Sequence, residues 1–536
     1  MFNACSFGSW RTTAALVAAA ASLLLAACAG ENQAGSAGAA TGGADTCAML
    51  ASASLPDTKV VSAQLVAAGA FTPPGQGSQA PRAIENLPAF CRVVAAIRPV
   101  PDEVAMEVWL PVQGWGGDFQ PAGSSFWGGS IPYARMGELL RFGQATAGTN
   151  LGVSGAAGPS FAIEHPEKLA YLADVPYHAT IQRAKEIVQA YYGRGPTITY
   201  MDECGGGGSR DALAMVQRHP EDLDAAAAIG FTNYGTRHGI HQMWVYQATH
   251  KTPASYIPPA KYPAIHRAAL AACDAKDGVA DGIIEDPPRC RYDPAALLCK
   301  GGDAADCLTK PQVEAVRAIY TTPTHGRTKE PLYGSLAPGS ELGWEPMAGP
   351  MPYPYSVPFY RYLVFKNPEW DYTTAPVNFQ SHVDLAETPQ NLTINATNPD
   401  ISRFVDRGGK LLLVGGWAEH TLAPGNNVDY YESIVRTVGV DKVKDSVRLF
   451  MVPGMDHCFG EEYEHADTYR FDRAAFLKAW KSSGQAPDRI IVTHAGKGGQ
   501  EHKRLVCAYP QVASYNGSGA ADDPANFSCR MPESSR

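Results

Sequence analysis

The chain has 536 residues, 45% hydrophobic and 18% charged, enough to bury a large core and more than one average domain requires. A net charge of −9 excludes a basic nucleic-acid groove and a polybasic membrane surface. The 53 glycines and 41 prolines predict many loops between the regular elements.

At the N-terminus Arg11 precedes an apolar run from Ala14 to Ala27, too short to span a bilayer. It ends in Leu25-Ala26-Ala27-Cys28, which resembles a bacterial lipoprotein signal with Cys28 as the lipidated residue. The alternative is a plain secretory signal, and either reading exports the chain. A lipid on Cys28 is the one membrane attachment expected. Residues 29–46 are mostly Gly and Ala with few apolar anchors and read as a flexible tether. Without Cys5 and Cys28, ten cysteines remain, an even number that reads as a disulfide framework in an oxidising compartment.

Residues 92–112 alternate apolar and polar as antiparallel strands do. The Gly-, Ser- and Trp-rich stretch 114–129 suits a pocket-lining loop, and 164–192 carries one long helical pattern. Thr197 to Tyr200 is a β-branched and aromatic strand, followed by Glu203-Cys204-Gly205-Gly206-Gly207-Gly208-Ser209-Arg210 and a helix from Asp211 to Arg218. Strand, glycine-rich turn and helix form the setting of a nucleophile elbow, where the glycines permit a sharp turn. Ala225 to Ile229 reads as a short strand. From 232 to 395 the periodicity gives way to prolines and aromatics, read as an inserted lid between core parts 47–231 and 396–536. Helix 399–407, strand 410–414, helix 427–438 and strand 447–452 then restore α/β order. Glu419 follows the first of these strands and His457 the second. With the elbow near 205 they give the order nucleophile, acid, base at strand C-terminal ends, the arrangement of an α/β-hydrolase. His420 is read as incidental.

Several stretches together resemble the tannase and feruloyl esterase family, among them His165-Pro166-Glu167-Lys168, Asp406-Arg407-Gly408-Gly409-Lys410, Val452-Pro453-Gly454-Met455-Asp456-His457-Cys458 and Cys507-Ala508-Tyr509-Pro510. The resemblance runs from about Cys47 to the C-terminus. It implies an α/β-hydrolase fold with a lid, and hydrolysis of aromatic carboxylic esters, with a small aromatic compound as substrate or ligand. The family elbow reads Gly-Cys-Ser-x-Gly-Gly-Arg. Matching Cys204 places Gly205 at the nucleophile position, and matching Arg210 places Gly206 there; both lose the serine. The family's acidic residue is Asp, replaced here by Glu419, and its Gly-Gly oxyanion loop corresponds to the altered Ala122-Gly123-Ser124-Ser125. Ser209 is either a displaced nucleophile or a first-turn helix serine, and Cys204 either a thiol nucleophile or half of a disulfide. Loop lengths and the resemblance imply the pairs Cys47–Cys91, Cys204–Cys458, Cys273–Cys290, Cys299–Cys307 and Cys507–Cys529.

Asp274, Asp277 and Asp281 crowd three carboxylates among glycines, which a cation would relieve. The resemblance implies a structural Ca²⁺ there, held by these side chains and the carbonyls of Val279 and Ile283. Two functional expectations stand. One is an exported aromatic-ester hydrolase in which His457 is general base and Glu419 orients it. The other is a repurposed scaffold, either a non-hydrolytic acid–base enzyme or an inactive ligand-binding protein.

Overall fold

The computed structural model describes residues 43–75, 82–98, 104–153, 158–458, 468–495 and 501–532. The expected signal, the tether up to residue 42 and Cys28 lie outside them. Nine strands form one sheet: β1 (Thr58–Val66), β2 (Phe90–Ile97), β3 (Val104–Pro111), β4 (Asp118–Pro121), β5 (Ala145–Thr149), β6 (Ile198–Cys204), β7 (Ala225–Ile229), β8 (Lys410–Gly416) and β9 (Val447–Val452), ordered β1-β2-β3-β5-β4-β6-β7-β8-β9. The β1–β2, β2–β3 and β3–β5 pairs are antiparallel. From β5 across to β9 every pair is parallel.

The central parallel strands β7 and β8 are largely apolar runs, as expected where helices cover both faces. β7 is Ala225-Ala226-Ala227-Ala228-Ile229, buried throughout, and its alanines let the flanking layers approach closely. Among those layers are α1 (Tyr133–Arg141), α2 (Val175–Tyr192), α3 (Gly208–Arg218), α5 (Pro424–Val438) and α6 (Arg473–Ser483), while α4 (Gly235–Thr249) packs on other helices of the segment between β7 and β8. The helical pattern expected over 164–192 is divided in two. A 3₁₀ segment, Pro166–Ala173, ends at Asp174, whose backbone is not helical, and α2 starts afresh with Pro176 in its first turn. Proline suits a helix start because it lacks the N–H that a helix interior needs.

β7 and β8 pair directly, with Ile229 opposite Val414, so residues 232–395 loop out between neighbouring strands. The described part of that insertion contributes helices and turns and no strand to the sheet. It has a core of its own around Val245, Ile257, Trp344 and Met347. The five disulfides join the pairs expected from the sequence. They place the folded chain in an oxidising compartment. No helix among the described residues is long and apolar enough to cross a membrane.

Candidate active site

Three loops at the C-terminal ends of β6, β8 and β9 meet at one point. Cys204, Ile229 and Val414 are level across β6, β7 and β8, and Gly416 is level with Val452 of β9. The loops that follow are therefore neighbours. At Gly416 a Cβ would lie 2.1 Å from the Met455 carbonyl oxygen, so only glycine lets the acid and base loops pack together. The Cys204–Cys458 disulfide ties the elbow to the residue after His457.

Glu419 is 1% exposed, and its two oxygens have separate tasks. Oε1 accepts hydrogen bonds from the Thr421 amide (2.7 Å), the Thr421 hydroxyl (2.7 Å) and the Leu422 amide (3.1 Å). Oε2 accepts from His457 Nδ1 at 2.5 Å. Burial pushes the Glu419 carboxyl up, but the charge and hydrogen bond of His457, with His420 and Thr421, hold it well below the ordinary carboxylate range. An ionised carboxylate has no proton to donate, so Nδ1 carries the hydrogen and Nε2 is the basic nitrogen.

Gly205 has φ +79°, the strained turn of an elbow, and its amide donates to the Ile229 carbonyl at 3.0 Å. A Cβ at Gly205 would lie 3.2 Å from His457 Nε2. At Gly206 it would instead meet the Phe126 ring at 3.2 Å. Of the two glycines that could stand for the serine, Gly205 is the one that faces the base.

The other nucleophile candidates are committed elsewhere. Cys204 is in a disulfide, which removes the thiol reading. Ser209 is fully buried in α3 and donates its hydroxyl to the Gly205 carbonyl. α3 begins at Gly208, three residues before the expected start, with Gly207 as N-cap and no side-chain cap. Its first-turn amides thus remain as possible oxyanion donors.

The loop 122–125 lies against this helix start. The Ser124 amide donates to Asp211 Oδ2 at 2.9 Å, and the Ser124 hydroxyl donates to the same oxygen at 2.6 Å. Asp211 is itself paired with Arg210 at 3.0 Å, both completely buried. The Ser124 amide is therefore engaged and is not turned to a reacting group.

The sequence reading overlooked two groups. His238 and His241 lie one turn apart on α4, and burial drives both imidazoles down to about 3. Neither nitrogen of His241 has a hydrogen-bond partner among the described residues. Their signal, His238-Gly239-Ile240-His241, was visible, but nothing in it announces burial. His420, taken as incidental, has Nδ1 2.7 Å from Asp456 Oδ1, an ion-pair separation without hydrogen-bond alignment. His420, Asp456 and His457 line a cavity of about 500 Å³ with Trp417 and, from the insertion, Tyr353.

The acidic loop of the insertion is held by its own backbone. Asp274 accepts from the Asp281 and Gly282 amides, Asp277 from Val279, and Asp281 from Ile283. Arg504 forms ion pairs with Asp281 and Glu285. The Asp277 carboxyl is pushed up by burial and by the charge of Asp281. Hard oxygen ligands of this kind fit a hard dication, although Arg504 and the loop's own amides already offset part of the charge.

The model of the family described as tannase and feruloyl esterase matches residues 91–530. An uncharacterised esterase of Xanthomonas campestris is 36% identical over 536 aligned residues, covering 90% of this chain and 91% of the other. A probable feruloyl esterase B-2 of Neosartorya fischeri is 31% identical, covering 82% of this chain and 86% of that protein. The crystal structure of feruloyl esterase B from Aspergillus oryzae superposes with a TM-score of 0.80 at 25% identity, covering 91% of this chain and all of the other.

Proposed function

The chain belongs to the tannase and feruloyl esterase family, and within it we propose a hydrolase of aromatic carboxylic esters that uses water in place of the elbow serine. The observation that carries this reading is the pairing of His457 with buried Glu419 while Nε2 faces Gly205. The acid–base half of a serine-hydrolase triad is present, and the residue opposite it has no side chain. A water bound between Nε2 and the ester carbonyl would lose its proton to Nε2 as it attacks. Glu419 would keep the imidazole oriented and stabilise the cation that forms. The first-turn amides of α3 would receive the developing oxyanion. No acyl-enzyme forms on this route.

The insertion 232–395 serves as a lid over an aromatic substrate, and its 274–283 loop takes a structural Ca²⁺ through Asp274, Asp277 and Asp281 with the Val279 and Ile283 carbonyls. Export and a lipid on Cys28 would hold the enzyme at a bacterial envelope. A second reading, a repurposed binding protein or non-hydrolytic acid–base enzyme, is favoured by one observation: the Ser124 amide is engaged by Asp211, which leaves fewer oxyanion donors.

Methyl ferulate and methyl gallate hydrolysis, followed with wild type and His457→Ala, tests the proposal alongside fluorophosphonate labelling read by intact mass. Slow hydrolysis lost in His457→Ala, with no adduct in the wild type, is expected. Fast hydrolysis that survives His457→Ala overturns the site. An adduct on Ser209 moves the nucleophile along the turn, and ligand binding without hydrolysis selects the second reading.

A further inference from the structure

Two acid–imidazole pairs cross between the same two loops. Glu419 and His420 are consecutive after β8, and Asp456 and His457 are consecutive after β9. Glu419 is bonded to His457, and His420 lies against Asp456. Each loop thus supplies the acid for the other loop's histidine. Both imidazoles line the same cavity of about 500 Å³.

The orientation of His420 follows from its neighbours. A Cβ on Gly343 would lie 2.3 Å from its Nδ1 and 2.6 Å from its Cγ, so the insertion packs on that edge of the ring. Nδ1 lies against Gly343 and Asp456, so Nε2 is the nitrogen those two contacts leave for a proton transfer. Glu419, His420 and Asp456 each have a ligand atom within 4.8 Å of the others. They are nevertheless a poor cation site, because Thr421, Leu422 and His457 already occupy both oxygens of Glu419. A proton carrier fits better than a metal ligand.

We propose that His420, backed by Asp456, is a second catalytic residue that protonates the departing alkoxide while His457 acts as base. This rests on the hydrolytic reading above. The water oxygen bonds to the ester carbonyl carbon as its proton passes to His457 Nε2. The tetrahedral intermediate then collapses. The bond from that carbon to the alkoxy oxygen breaks, the electron pair stays on the oxygen, and His420 Nε2 supplies its proton. Acid and alcohol leave with His457 protonated and His420 neutral, and one proton relayed through solvent from His457 to His420 resets the pair. Burial pushes the His420 imidazole down, but Asp456 and Glu419 more than offset this and hold it above its ordinary value. A second imidazole also gives the insertion a part in the chemistry, since Gly343 presses the ring against Asp456.

Two ferulate esters that share an acyl group but differ in leaving group test the assignment. Ethyl ferulate releases a poor leaving group that requires a proton, and p-nitrophenyl ferulate a good one that does not. General-acid catalysis is worth about 10²–10⁴-fold, so His420→Gln should lower kcat/KM for the ethyl ester at least about tenfold more than for the nitrophenyl ester. Asp456→Asn should shift the ratio in the same direction. Equal losses on both esters, in variants that melt like the wild type, mean a structural role and overturn the proposal while leaving the hydrolytic reading intact. Failure of the wild type to hydrolyse either ester overturns both. Should His420→Gln not fold, Asp456→Asn decides: a loss at least about tenfold greater on the ethyl ester supports His420 as the donor, and equal losses rule it out.

Discussion

In the proposed mechanism Glu419 serves as the acid, and its longer side chain is fixed at both oxygens. Thr421 and Leu422 hold Oε1, leaving Oε2 for His457. A buried carboxylate with four donors is stabilised as the anion, which is why its folded pKa lies below the ordinary value despite burial. A carboxyl with a depressed folded pKa contributes stability that is fully present above the unfolded value of about 4.3. That contribution is lost as the pH falls towards the folded value. Glu419→Gln should therefore be less stable than the wild type by about 3 kcal/mol at pH 7, with the gap closing below about pH 4. Urea unfolding from pH 3 to 7 measures this, and parallel stability curves for the two proteins would refute it. Esterase activity should fall with the variant at every pH, since His457 loses the anion that orients it.

The elbow, its disulfide and the base loop act as one element. Cys204 and Cys458 are 254 residues apart, and closing so long a loop restricts the unfolded chain by on the order of 5 kcal/mol. The bond also fixes the residue next to His457. Replacing both cysteines by serine should lower the melting temperature and reduce kcat/KM even where the variant is fully folded; unchanged kcat/KM there would show that the loops hold themselves in place. Much of this element was legible in the sequence. β7 is an uninterrupted apolar run, β9 is apolar but for Arg448, and Gly205 follows a strand at the position where the resemblance puts the nucleophile. The start of α3 was not legible. Glycine and serine have weak helix preference, and it is packing of the 122–126 loop on Gly207 that makes the first turn helical. The break at Asp174 was missed because the apolar period continues through it, although Pro176 marks it. The pairing of Glu419 with His457, and of His420 with Asp456, depends on how two loops cross. Neighbouring letters in a sequence carry no record of that crossing.

At the scale of the molecule, the acidic loop of the insertion joins three parts. Asp281 and Glu285 reach Arg504, Glu285 accepts the Ala513 amide, and Gly282, Ile283 and Ile284 wall the cavity that contains His457. Arg504 pairs with two carboxylates of a region that also holds Asp274 and Asp277, so a single guanidinium leaves negative charge uncompensated. A bound Ca²⁺ would relieve that repulsion and, by binding the folded state alone, stabilise it by about 3–4 kcal/mol at a hundred to a thousand times its Kd. It would also fix one wall of the cavity to the C-terminal strands. Chelation should therefore lower the melting temperature of the wild type and raise KM for aromatic esters more than it lowers kcat, because the ion is remote from the proton transfers. Asp277→Ala should melt like the chelated wild type and ignore both EDTA and added calcium. A wild type whose melting temperature is the same with EDTA and with millimolar calcium would show that the loop is held by Arg504 and its own amides alone.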